Sequence, residues 1–115
     1  RIPRPARTLE RSWTVEPTQD GERSVTLRRV GDVQLAGAMY HVPAGSHPDF
    51  AAVDVLAEVL SSQPAGRLYK ALVEPKKAAQ TGAFAFQLRE PGMLYAFAQV
   101  RKDDALADAQ RALLD

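Results

Sequence analysis

Cysteine is missing from all 115 residues, which excludes disulfides and any thiolate-bound metal and leaves the redox compartment open. No apolar run approaches the ~20 residues that cross a bilayer as a helix, so no membrane partner is expected. An excess of one charge is missing too, since 15 Lys and Arg stand against 14 Asp and Glu for a net charge of +1. That balance gives no general pull toward nucleic acid. Imidazole is scarce, with only two histidines, His41 and His47. An initiating Met and a signal-peptide pattern are also lacking, because the chain starts at Arg1. Its last stretch, "DDALADAQRALLD", is amphipathic but has no Gly or Pro terminator. Both ends therefore read as cut, and the expectation is an excised fragment of a longer protein.

What is present suits one soluble domain or a piece of one. A chain of this length buries roughly two-thirds of its unfolded surface, enough for a single core. The apolar share of 45% and charged share of 25% are ordinary, which argues against disorder and against a coiled coil. Residues 1–21 hold Pro3, Pro5 and Pro17 with no sustained period. Arg1, Arg4, Arg7 and Arg11 could make a basic arm, but without interleaved aromatics a solvated connecting segment is the better reading.

Residues 22–115 read as a partial α+β domain. "ERSVTLRRV" alternates Val25 and Leu27 with polar neighbours, as a strand with one buried face does. Gly31-Asp32 turns the chain, and Val33 to Tyr40 forms a second strand. Leu35, Ala36, Ala38 and Met39 make that strand too apolar for an exposed edge. Later, "GAFAFQL" and "MLYAFAQV" flank Pro91-Gly92, the pair that a type II turn takes at its centre, so a hairpin is expected. Phe84, Phe86 and Leu88 share a face. Leu94, Ala96, Ala98 and Val100 alternate with Met93, Tyr95, Phe97 and Gln99, so both faces should be covered. Asp103 or Asp104 is placed to cap a last helix. Strand, strand, helices, strand, strand, helix predicts a mainly antiparallel sheet of about four strands packed by helices.

Both histidines fall in "YHVPAGSH". Ser46 and Asp49 have the spacing of a capping box, with Pro48 in the first turn. Loss of that cap would cost ~1 kcal/mol. Behind it, Phe50, Val53, Leu56, Ala57 and Leu60 make a helical face for the sheet. Zinc needs three or four converging ligands, and no second His-rich segment supplies them. A Ser46/His41 nucleophile pair lacks an orienting acid and oxyanion donors. Pro64-Ala65-Gly66 breaks the helix. Leu68, Tyr69 and Leu72 restart an apolar stripe that Pro75 limits to about two turns. Arg67, Lys70, Lys76 and Lys77 read as a solvated face, because no Gly-rich phosphate loop accompanies them. No catalytic, cofactor-binding or metal-ligating residue is assigned in this chain.

Taken together, "EPTQDGERSVTLRRVGD", "YHVPAGSHPDFAAVDVLAEVL" and "GRLYKALVE" resemble the insulinase/pitrilysin family of zinc metallopeptidases. The resemblance runs from about Ile2 to the last residue and is to the later part of the non-catalytic domain that follows the zinc domain. It implies α+β domains paired into clam-like halves around a chamber. It also implies zinc in the parent, held by an H-x-x-E-H motif outside this chain, whose Glu acts as base on the zinc-bound water. On the helix from Asp49 to Leu60, the motif's His, Glu and His fall at Asp54, Ala57 and Glu58. An Arg and a Tyr that complete the family's site fall at Val73 and Gln80. None of these positions retains the family's residue.

The resemblance thus implies a segment of a zinc metalloendopeptidase that shapes the chamber wall and is inactive alone. The alternative is a non-enzymatic structural homologue of the core-protein kind. Implied partners are a peptide substrate in the parent and the remaining domains of the same polypeptide. Excision should expose a sheet edge that seeks a second copy. Export of many bacterial relatives makes the periplasm an expectation from resemblance alone.

Overall fold

The computed structural model describes residues 18–115. The expected connecting segment therefore lies, as far as Pro17, outside the described residues, as do Arg1, Arg4, Arg7 and Arg11. Strands form where apolar side chains alternate: β1 at Val33–Val42, β2 at Gln80–Ala85 and β3 at Gly92–Arg101. They make one antiparallel sheet in the order β1-β3-β2. Helices α1, Phe50–Ser61, and α2, Leu106–Leu114, pack with a π-helical turn at Tyr69–Val73. The α+β class and the antiparallel sheet are as expected.

The strand count is not, for the sheet has three strands rather than about four. The missing one is "ERSVTLRRV", where Val25 and Leu27 are 81% and 79% exposed and no ladder forms. Alternation marks a face able to be buried, but a strand also needs a neighbour and a covering layer. Among the described residues, this segment meets neither.

Register decides which residues line the core. Ala36 faces Ala98, Ala38 faces Ala96 and Tyr40 faces Leu94. On the other side of β3, Thr81, Ala83 and Ala85 face Ala98, Ala96 and Leu94. This inner face is built largely from alanine, and larger helical side chains fill the space above it. Leu68, Leu72, Val100 and Ala109 join Ala36, Ala83, Ala96 and Ala98 in one buried cluster. Phe50 and Ala57 of α1 form a second with Val42 and Leu94. Leu56, expected on this face, lies on the flank of α1 and is exposed.

Local signals for turns and caps fared worse than those for faces. The β2–β3 hairpin exists, closed by the Phe86 amide donating to the Met93 carbonyl at 2.9 Å. Its type II turn does not, since no glycine has positive φ and Gly92 already pairs with Val42 as the first residue of β3. Gly92 is required for closeness instead, because a Cβ would lie 2.6 Å from the Phe86 carbonyl oxygen. Neither Asp103 nor Asp104 caps α2, whose N-cap is Ala105. The Gln34 side-chain amide restrains that connection, reaching the carbonyls of Arg101, Lys102 and Asp104 at 2.9, 3.1 and 2.9 Å.

After α1, the Glu74 amide bonds to the Tyr69 carbonyl at 3.1 Å, the i to i+5 step of a π turn. Lys76 follows at φ 62°, a left-handed conformation that costs an L-residue about 1–2 kcal/mol. Lys76→Gly is therefore expected to raise stability by up to about 1 kcal/mol, read as a higher urea midpoint with an unchanged slope. Leu72 is fully buried, and Leu72→Ala should lower stability by about 2–5 kcal/mol in the same titration.

Candidate functional site

The "YHVPAGSH" stretch carries the chain from β1 into α1. His41 lies near the end of β1 opposite Met93, and His47 sits in the turn before α1. The turn is tight, with the His47 amide donating to Ala44 at 2.9 Å and the Phe50 amide to His47 at 3.0 Å. Asp49 is already helical at the N-cap and makes no side-chain cap bond, so Ser46 lies too early to cap. The predicted Ser46–Asp49 capping box is absent. His47 does part of its work, because its Nδ1 accepts the Asp49 amide at 3.2 Å. The same Nδ1 lies 3.8 Å from the Asp49 carboxylate, an arrangement that counts as an ion pair only when the ring is protonated. One nitrogen cannot accept the amide and carry the proton at once, so these two interactions alternate.

The positions that the resemblance assigns to a zinc motif do not form one. Ala57 is 4% exposed and packed with Val42, Phe50 and Leu94, while Asp54 and Glu58 are exposed. A methyl group stands where a base would be, and two carboxylates stand where imidazoles would be. This donor set does not fit a catalytic zinc. Among the described residues, no group of three or more His, Cys, Asp and Glu comes together. Glu58 instead receives the Ser62 hydroxyl, 2.7 Å from its carbonyl and 2.9 Å from its carboxylate, at the end of α1. Val73 is half-buried at the end of the π turn, and Gln80 is exposed at the start of β2. Arg67, Lys70, Lys76 and Lys77 are all exposed, in keeping with a solvated face.

The organised feature that sequence reasoning missed is the outer face of the sheet. Both faces were expected to be covered, yet Leu35, Met39, Phe84 and Phe86 are 58%, 66%, 41% and 40% exposed. Phe84 meets Phe86 and Tyr95 edge-on at 5.0 and 5.4 Å, and Tyr95 stacks on Phe97 at 5.7 Å. Gly37 and Gly82 flank Phe97 across the ladder. A Cβ at Gly37 would lie 2.9 Å from the Tyr95 ring, and one at Gly82 would lie 2.8 Å from the Phe97 ring. The rings thus lie over backbone, where only glycine leaves room. The signal was two glycines inside otherwise good strand sequence.

Comparison with known proteins adds a family. Residues 1–115 match the family model described as the Peptidase M16 inactive domain. A solved inactive peptidase domain of a proposed zinc protease from Bordetella parapertussis is 41% identical, with a TM-score of 0.66, over 77% of this chain and 49% of that one. A proposed zinc protease from Bordetella pertussis Tohama I is 38% identical, with a TM-score of 0.64, over 70% of this chain and 45% of that one. A protease from Helicobacter pylori is 26% identical, with a TM-score of 0.65, over 74% of this chain and 21% of that one. The chain therefore spans about half or less of the solved structures it matches. No curated protein matches.

Two substitutions test the reading of α1. Ser46→Ala should change stability by less than about 0.5 kcal/mol, since it removes no cap. Ala57→Glu should cost about 3 kcal/mol or more, by forcing a carboxylate among Val42, Phe50 and Leu94. Thermal or urea unfolding of both variants checks the pair.

Proposed function

The chain belongs to the M16 peptidase family, in its inactive domain, and from that premise we propose that it serves a zinc metalloendopeptidase as a non-catalytic part of the wall around its peptide-binding chamber. The match of the full 115 residues to the inactive-domain family carries this reading. The relatives named as zinc proteases support the parent's chemistry, and the Ala57 methyl on the motif helix supports a supporting role for this piece. The outer sheet face fits a wall. Its rings sit flat over Gly37 and Gly82, giving a firm apolar surface with few charges to bind a peptide tightly in one register. Zinc and the base that activates water belong to the parent's other domain, and the peptide is the parent's substrate.

The test is metal analysis and peptide hydrolysis on the full-length parent. Expected are stoichiometric zinc and chelator-sensitive cleavage, both unchanged in a His41→Ala/His47→Ala variant. Zinc lost with that double substitution would overturn the proposal, because it would put the metal on this segment. A parent with neither zinc nor activity would overturn it in favour of a non-enzymatic scaffold.

A further inference from the structure

His47, Pro48 and Asp49 form a turn that a titrating side chain holds closed. The His47 Nδ1 accepts the Asp49 amide, two residues on, at 3.2 Å. An Asn or Asp side chain makes the same bond in an Asx turn, but an imidazole makes it only in one protonation state. Pro48 between them has its φ locked by its ring, so the imidazole and the amide have little freedom to drift apart.

The residue held in this way starts α1. The Asp49 carbonyl accepts the Ala52 and Val53 amides at 3.1 and 3.3 Å, so the helical ladder begins from it. The next residue, Phe50, is buried with Val42, Ala57 and Leu94, and its amide donates to the His47 carbonyl. Nδ1 accepts only while the ring is neutral with its hydrogen on Nε2. Once Nδ1 is protonated, the Asp49 amide loses its acceptor and joins the first-turn donors that a helix cannot satisfy by itself. The new N–H then faces the Asp49 carboxylate, 3.8 Å away, so a bond to the backbone is exchanged for one between side chains. The ring is half exposed, so solvent protons reach it.

Other charges around the turn do not compete for the ring. The segment after β2 packs here, with the Gly45 amide donating to the Leu88 carbonyl at 2.8 Å, and it carries Arg89 and Glu90, both exposed. β2 has no charged residue, β3 has Arg101 at its far end opposite Val33, and β1 brings His41. On α1 the next acidic groups are Asp54 and Glu58. Among the described residues, the ion pair of His47 is with Asp49.

We propose that His47 is an acid-operated release for the first turn of α1, holding the Asp49 amide when neutral and letting it go when protonated. It stands on this local geometry and goes beyond the proposed function.

The experiment is nuclear magnetic resonance on the full-length parent, with aspartate amides and histidine rings labelled, titrated from about pH 8 to about pH 5. Asp49→Asn identifies the Asp49 signal. That amide should move in step with the His47 ring. Its exchange, divided by the rate of open backbone at the same pH, should quicken by about 2–10-fold in acid, the worth of one such bond. His47→Ala should leave the amide fast at both ends of the titration. His47→Asn should keep it slow at both, because its side-chain carbonyl accepts the same amide without titrating. An Asp49 amide that does not follow the ring would overturn the proposal. So would a step that survives in His47→Asn, which would place its origin in another group such as His41. Zinc content and peptidase activity enter none of these readouts, so a failure here and a failure of the proposed function remain distinct.

Discussion

The fold depends on how close a helix layer can come to a sheet whose inner face is mostly methyl groups. Ala36, Ala83, Ala96 and Ala98 present almost nothing above the backbone, so the space must be filled from the other layer. Leu68 and Leu72 descend to fill it, with Leu60, Leu106 and Leu113 at the margin. Small beside large gives interdigitation at native density, and neither set alone would make a core. The π turn fits this arrangement. By widening one step at Tyr69–Val73, it lets Leu72 reach full burial before Pro75 and Lys76 turn the chain toward β2.

The two faces of the sheet are solved in opposite ways. Inside, small strand residues accept large helical ones. Outside, large aromatic residues are accepted by glycines on the neighbouring strands. Tyr95 and Phe97 therefore have little freedom to move, despite partial exposure. Ala57 packs against Val42 of β1 and Leu94 of β3, so the position contributes to stability.

Much of this was legible in the sequence, and the pattern of misses has a physical cause. Period reports faces well, so β1, α1, β3 and the inner row Leu94, Ala96, Ala98 and Val100 were readable. Caps and turns depend on where a helix starts to within a residue, and there the reading failed. Ser46 was one turn too early, Gly92 was a strand residue, and the N-cap of α2 fell at Ala105 rather than at Asp103 or Asp104. "ERSVTLRRV" failed for a third reason, since alternation says nothing of whether a neighbouring strand is at hand. The assignment of zinc-motif places to Asp54, Ala57 and Glu58 came only from the family resemblance. Composition alone would have left His41 and His47 as the sole candidates.

Gln34 has one more consequence. Its side-chain amide carries two hydrogens and serves three carbonyls, at the last residue of β3 and in the segment that leads on to α2. The start of β1 and the approach to α2 are thus tied by a polar latch, while Ala36 and Ala109 lie in the same apolar cluster. Detaching the start of β1 would break the bonds to the Lys102 and Asp104 carbonyls that lead into α2. β1 and α2, far apart in the chain, are thus coupled through this latch and through a shared apolar cluster, to which α1 adds Leu60.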